Sequence, residues 1–225
     1  MLKPRVSRSA PAAVRSRVII HKVGRFGPAM NESTIAIEVE RFHGHMCPGV
    51  AIGVQAANVA LAELGCNSDS NEVLAIVETS MCAVDGIQYV MGCTFGRGTL
   101  IHLDYGKNAY SFVRTGDGKS LRLSAREGAW QRSQEHEALL AKSRAGLSTE
   151  SDKKRYWELQ RQVSEEILAR HPESIFRIVR ERITFSALSR DMHYRKCSRC
   201  GDMTNVSRLV STPDSELCVP CANAK

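Results

Sequence analysis

The side chains best suited to chemistry in this chain are two histidines and a cysteine at two-residue spacing. They are His43, His45 and Cys47, and Pro48 follows directly. Proline is favoured at the first position of a helix because its missing N–H would be unpaired there, so Cys47 is predicted to be the N-cap. The helix dipole and free N–H groups at such a position are expected to lower the pKa of the Cys47 thiol. The segment is therefore a candidate for metal binding or proton transfer.

The next cysteines are expected to complete this site. On an extended strand the H-x-H-x-C spacing would place all three side chains on one face. Residues 83–91 are predicted to form a helix that begins at Cys82 and is stopped by Gly92. Cys82 and Cys93 would then lie up to about 16 Å apart along the axis and could not share one ion. Cys82 follows a predicted central strand directly, where sites in open sheets gather, so it is preferred to Cys93.

These residues predict a metal site with an open coordination position, which catalytic zinc requires. The preferred ligands are His45, Cys47 and Cys82, and His43 and Cys93 are second choices. Zinc or another transition metal is the expected ion. Asp85 or Gln88 is expected to orient a substrate or a water molecule. The complete set of candidate catalytic residues is His43, His45, Cys47, Cys82, Asp85 and Gln88.

The C-terminal cysteines follow a different pattern, with two C-x-x-C pairs formed by Cys197 with Cys200 and by Cys218 with Cys221. This spacing is typical of a structural four-cysteine zinc site. A rubredoxin-like iron centre could use the same ligands. The segment has few apolar residues, so metal ligation must supply most of its stability.

The elements that would position these residues indicate an α+β fold with a mixed sheet. The helix that begins at Pro48 is apolar nearly all round and is therefore expected to be buried. Two exposed helices are predicted within residues 126–170, joined near residues 146–148. The predicted strands are residues 73–77, 99–103, 109–113, 121–123 and 175–179.

The charge of the chain is uneven. Seven of its 31 basic residues and none of its 24 acidic residues fall in residues 1–29, so the remainder is neutral. A nucleic-acid-binding body would be basic, so that function is not expected. No segment has the ~18 to 20 consecutive apolar residues that span a bilayer, and eight cysteines without an export signal favour the cytoplasm. The predicted division is a disordered extension (1–29), an α+β domain (30–185), and a linker with a zinc finger (186–225).

A family resemblance adds to this interpretation. The runs 42–49, 82–88, 92–100 and 104–107 resemble, in this order, the FmdE family of formylmethanofuran dehydrogenase proteins, over roughly residues 38–179. The resemblance implies a thioredoxin-like core, a C-terminal treble-clef zinc finger and a metal-binding active site made from the His/Cys motifs. The sequence departs from the family pattern at Gly86, where alanine is common, and at Arg97, where lysine is frequent. Gly86 would weaken its helix by up to ~1 kcal/mol relative to alanine.

Two classes of function follow from the residues and the resemblance. In the first, the protein is a metal-dependent component of a molybdenum or tungsten one-carbon oxidoreductase of the formylmethanofuran dehydrogenase type. In the second, it is a stand-alone protein that binds or delivers a metal or a molybdenum or tungsten cofactor. A thiol–disulfide oxidoreductase is less favoured, because Cys47-Pro48 lacks the second cysteine of a C-x-x-C pair. A homodimer is expected, and the sequence predicts no substrate.

Overall fold

The computed structural model describes residues 32–66, 72–183, 192–213 and 215–224, with side chains from residue 35 onward. It divides into two compact units, Met1–Phe185 and Ser186–Lys225, which are treated separately below. The prediction for residues 1–29 lies outside the described residues. No helix within the described residues is long and apolar enough to cross a membrane.

The first unit is built on a mixed sheet, as predicted. Among its described residues the strands are β1 (Val73–Val77), β2 (Leu100–His102), β3 (Ala109–Arg114), β4 (Lys119–Ala125) and β5 (Phe176–Arg182). Their order across the sheet is β2-β1-β3-β4-β5. Strands β1 and β2 are parallel and the other neighbours are antiparallel. The α+β class is therefore confirmed, and the thioredoxin-like comparison stays a prediction.

Six helices accompany the sheet within the described part of this unit. They are α1 (Glu32–His43), α2 (Pro48–Leu64), α3 (Ala83–Met91), α4 (Gln134–Arg144), α5 (Glu150–Ala169) and the short α6 (Pro172–Ile175). Capping side chains fix the starts of α4 and α5: Ser133 accepts the His136 N–H, and Thr149 forms a capping box with Asp152. The two exposed helices predicted from the sequence are therefore confirmed.

Helix α2 is the centre of the unit. Cys47 is its N-cap, with extended backbone, and Pro48 takes the first helical position. Most of its residues are buried, and it packs against both α3 and α5. The buried Gln55 donates to the carbonyls of Ile167 and Leu168 at the end of α5, which satisfies acceptors that a helix C-terminus leaves unpaired. An apolar helix inside a shell of helices and sheet gives the first site a rigid support.

Two glycines let α2 and α3 approach backbone to backbone. A Cβ atom at Gly53 would lie 2.0 Å from the carbonyl oxygen of Ala83, and one at Gly86 would lie 2.7 Å from that of Val50. Gly86 therefore has a packing role, and α3 remains regular until Gly92 ends it in the left-handed conformation. This close crossing sets the starts of α2 and α3, and with them Cys47 and Cys82, side by side.

Helix α1 is the element that the sequence interpretation missed. His43 is its last residue, and Gly44, with a φ of 92°, turns the chain out of the helix. The extended H-x-H-x-C strand considered above is therefore wrong. Because the chain turns at Gly44, His43 and His45 project from different local structures instead of alternating along one strand.

The second unit contains two small hairpins and a short helix among its described residues. Strand β6 (Tyr194–Lys196) pairs with β7 (Met203–Asn205), and β8 (Leu209–Ser211) pairs with β9 (Glu216–Cys218). Helix α7 (Val219–Asn223) follows β9 directly. The treble-clef topology implied by the resemblance stays a prediction.

Candidate metal centre

Three side chains of the first unit meet where three helices end or begin. The ligand atoms of His43, Cys47 and Cys82 all lie within 4.8 Å of one another. His43 ends α1, Cys47 caps α2, and Cys82 is the N-cap position of α3. Cys47 is 6% exposed. One imidazole and two thiols at this separation form a donor set suited to zinc or another transition metal that accepts soft ligands.

The space between the two thiols is kept open by a glycine. A Cβ atom at Gly49 would lie 3.0 Å from the Cβ of Cys82 and 3.8 Å from the Sγ atoms of both Cys47 and Cys82. Any side chain at this position would crowd the two sulfur atoms. The backbone of α2 therefore leaves room for a group bound between them.

Asp85 selects which nitrogen of His43 can act as a ligand. The Nδ1 atom of His43 lies 2.6 Å from Oδ2 of Asp85, and since a carboxylate accepts, Nδ1–H is the donor. The other ring nitrogen, Nε2, is buried and has no hydrogen-bond partner among the described residues. A metal-binding histidine typically donates its second nitrogen to a carboxylate in this way. The contact of Asp85 described by the structure is thus with His43, whereas the sequence interpretation gave Asp85 a substrate or a water.

His45 lies beside the cluster but outside it. Its ring centroid is 4.6 Å from that of His43 and 4.9 Å from that of Trp157. Burial, with a contribution from His43, lowers the pKa of His45, which favours the neutral ring at pH 7. His45 also lines the neighbouring cavity. The geometry favours His43 as the ligand, although the sequence interpretation preferred His45.

The Cys47 thiol differs from expectation. Burial raises its pKa from 9.0 to about 11, while the N–H of Val50 opposes the rise. The helix start therefore does stabilise the thiolate, but the loss of hydration outweighs it, and the expectation of a lowered pKa is wrong. A thiol of this kind needs a bound cation to lose its proton at neutral pH.

Other residues singled out from the sequence lie away from the cluster. Cys93 is 3% exposed, and its thiol donates to the carbonyl of Val73 at 3.5 Å. Gln88 is half-buried one turn beyond Asp85 and belongs neither to the cluster nor to the cavity lining. The Arg97 guanidinium donates to the carbonyl of Gly92 at 2.7 Å, so it supports the end of α3.

A cavity of about 300 Å³ opens beside Cys47 and Cys82. Four aromatic side chains contribute to its wall: Tyr110, Trp130, Tyr156 and Trp157. Sequence reasoning missed it because these residues come from β3, the segment before α4, and α5. One signal was available, since Trp130 and Trp157 are the two tryptophans of the chain. Their placement in a polar, charged region was unusual for residues assigned only to a core.

The second unit brings its four cysteines together. The Sγ atoms of Cys197, Cys200, Cys218 and Cys221 lie within 4.8 Å of one another. Backbone N–H groups, chiefly those of Cys200 and Cys218, lower the pKa of Cys197 to about 6. Gly201 adopts a φ of 81° and donates its N–H to the carbonyl of Cys197, which closes the turn after the first pair. Four thiols and a complete tetrahedral set are typical of a structural zinc site.

Comparison with known families agrees with this division of the chain. Residues 42–177 match the model described as "FmdE, Molybdenum formylmethanofuran dehydrogenase operon". Residues 193–225 match the "Prokaryotic dksA/traR C4-type zinc finger". An α+β domain that combines a His/Cys cluster with a following four-cysteine finger is the class of protein that these two matches define. The chain belongs to the FmdE family, and the resemblance found in the sequence is confirmed.

Two relatives extend the comparison. A protein of Archaeoglobus fulgidus, named a probable S-adenosyl-L-methionine-binding protein, is 31% identical over 216 residues, which cover 90% of this chain and 57% of the relative. The chain thus spans little more than half the length of that relative. The crystal structure of an FmdE-like protein of tungsten formylmethanofuran dehydrogenase from Syntrophus aciditrophicus aligns with a TM-score of 0.56 at 22% identity. It covers 85% of this chain and 91% of that protein, and at this identity the likeness concerns the fold.

Proposed function

We propose that the first domain binds a transition metal, with zinc the best-suited ion, through His43, Cys47 and Cys82. The observation that carries this proposal is the buried, unpartnered Nε2 of His43, placed beside two thiols of the described chain while Asp85 takes Nδ1. Three protein ligands leave a coordination position free. A metal held there would supply Lewis acidity to a bound group. In this proposal Asp85 holds the His43 tautomer, and the cavity wall limits the access of water.

The biological setting proposed for this site is a molybdenum or tungsten one-carbon oxidoreductase of the formylmethanofuran dehydrogenase type. The chain would be a component or an accessory of that enzyme. The description of the matched family and that of the Syntrophus aciditrophicus protein support this proposal. Affinity purification of the full chain from its native cells tests it. A co-purifying molybdenum or tungsten enzyme is the expected result, and purification as a homo-oligomer alone would contradict it.

The alternative is a stand-alone protein that binds or delivers a metal or a molybdenum or tungsten cofactor and has no catalytic activity. An open three-ligand site also suits a metal that must be released to another protein. Chelator competition distinguishes this case from a resident cofactor. Rapid release of the first-domain metal, with slow release from the four-cysteine cluster, would favour delivery over a retained catalytic ion.

Elemental analysis of the purified full chain tests the metal proposal. The expected content is two metal ions per chain, one for each described cluster. Cys47→Ser and Cys82→Ser should each lower it to one. Cys93→Ser is the matched control, because Cys93 is equally buried but lies outside both clusters. One ion in the unmodified protein, lost only on substitution of Cys197 or Cys218, would overturn the proposal.

A second candidate function is binding of S-adenosyl-L-methionine, the ligand in the name of the Archaeoglobus fulgidus relative. The aromatic lining of the cavity favours it, since such rings stack on adenine and attract a sulfonium cation. Equilibrium dialysis with S-adenosyl-L-methionine tests the idea. Binding that is lost in Trp157→Leu would support this candidate, and equal retention in that variant would exclude the cavity as the site.

A further inference from the structure

The walls of the cavity are flat and apolar. Tyr156 and Trp157 meet edge to face, with ring centroids 5.4 Å apart, and the His45 ring contacts Trp157 edge-on at 4.9 Å. Trp130 lines the same space. Trp157 is 46% exposed, so this part of the wall reaches the surface. Rings arranged in this way favour a planar, conjugated ligand, which can contact both ring faces and ring edges.

The electrostatic character of the cavity is positive. The described residues that line it include Arg132 and contain no aspartate or glutamate. Glu137 pairs with Arg132 at 3.2 Å, but its side chain is 56% exposed, so water weakens that interaction. A guanidinium presents several N–H donors, and those not used by Glu137 can bind an anionic group.

Two buried polar atoms at the cavity have no hydrogen-bond partner within the described part of the chain. They are the hydroxyl of Tyr110 and Oε1 of Gln160, whose residues are 0% and 7% exposed. Gln160 uses its Nε2 to donate to the Tyr156 hydroxyl at 2.6 Å, and this contact fixes the orientation of the amide. Its oxygen is then an oriented acceptor. An unpaired buried acceptor costs energy, so a donor on a bound molecule would be favoured there.

We propose that this cavity binds a compact, planar, conjugated anion that carries a ring N–H group. The ring contacts Trp130, Tyr156 and Trp157, the anionic group pairs with Arg132, and the N–H donates to Oε1 of Gln160. A volume of about 300 Å³ is at the small end for ligand cavities, which suits one or two fused rings. This ligand site extends the proposed function, because the bound molecule would lie beside the proposed metal site.

Isothermal titration calorimetry of the full-length, zinc-loaded protein tests the proposal with three planar probes of one shape. Indole-2-carboxylate carries both features, indole-2-carboxamide lacks the charge, and benzofuran-2-carboxylate lacks the N–H. Indole-2-carboxylate should bind about tenfold more tightly than either relative. Arg132→Gln should remove only its advantage over the carboxamide. Gln160→Leu should remove only its advantage over the benzofuran.

Several outcomes would overturn the proposal. They are equal affinity for the three probes, no binding of any of them, or tighter binding of benzyltrimethylammonium, which would favour the sulfonium ligand named above. Metal content is measured on the same samples, so that the two proposals fail separately. Selective binding without first-domain metal would refute the metal site alone, and retained metal without selective binding would refute the cavity ligand alone.

Discussion

The two cysteine clusters of this protein differ in how the chain builds them. The four ligands of the second unit come from two short local motifs, and backbone N–H groups lower the pKa of Cys197 to about 6. The three ligands of the first unit come from three helices, and burial raises the pKa of Cys47 to about 11. A complete ligand set stabilised by its own turns suits a structural ion. An incomplete set inside a preformed core suits an ion that meets other molecules.

The largest expected effect separates the clusters by their role in folding. Cys218→Ser should unfold the second unit, because metal binding by such small modules contributes about 10–16 kcal/mol of apparent stability. Hydrogen exchange of residues 192–213 should become as fast as in an unfolded chain. The thermal transition of the first unit should stay within a few degrees, with Cys66→Ser as the control. Retained protection of the finger would contradict its dependence on metal.

The second prediction concerns the helix crossing that holds the first cluster. Gly53→Ala places a methyl group against the carbonyl of Ala83 and should destabilise the first unit by about 3 kcal/mol. It should also release the first-domain metal while the finger keeps its own. Chemical denaturation and elemental analysis measure the two effects. Gly116→Ala is the control, since no atom lies within 4 Å of its Cβ position, and an equal loss in both variants would refute the role of the crossing.

The third prediction uses pH and applies to the metal-free first unit. The pKa of Cys47 is raised from 9.0 to about 11, so its stabilising contribution is complete below pH 9 and is lost as pH rises through 11. The loss should reach about 2–3 kcal/mol. Bound metal should reverse the dependence near neutrality, because the thiols release protons when they bind it. Urea denaturation between pH 7 and 11 measures both trends, and a Cys47→Ala variant that keeps the alkaline loss would contradict this cause.

The fourth and smallest effect comes from Asp85. Asp85→Asn removes the carboxylate that orients His43, and the affinity of the first site for zinc should fall about 10–100-fold. Competition with a chromophoric chelator measures this affinity. The affinity of the finger should not change. Asp104→Asn, an exposed aspartate of the same unit, is the matched control, and equal affinities in the two variants would show that Asp85 does not support the site.

Much of the fold was predictable because its signals are local. Apolar periodicity located α2, Pro48 and Gly65 marked its ends, and α3 and β1 were predicted at their observed bounds. The ligand spacing of the finger is equally local. Helix α1 was missed because the alternation of His43, His45 and Cys47 was interpreted as strand periodicity, whereas Gly44 ends a helix between the two histidines.

The first site was only partly predictable because tertiary contacts complete it. The sequence selected Cys47 and Cys82 by their places at helix starts, but the choice between the histidines depends on Asp85, which α3 brings to Nδ1 of His43. The direction of the Cys47 pKa depends on burial, which residues far along the chain supply. The same holds for the cavity. Its aromatic wall is assembled from elements that only the fold brings to α2.

The first metal site depends above all on His43, rather than His45, joining Cys47 and Cys82 as a ligand. The zinc content of His43→Gln and His45→Gln, compared in the full-length protein, tests this choice most directly. We expect one zinc ion per chain in His43→Gln and two in His45→Gln, because of the two it is His43 that presents a buried, unpartnered Nε2 atom to the thiols of the described chain. Two ions in His43→Gln, or a loss confined to His45→Gln, would contradict it.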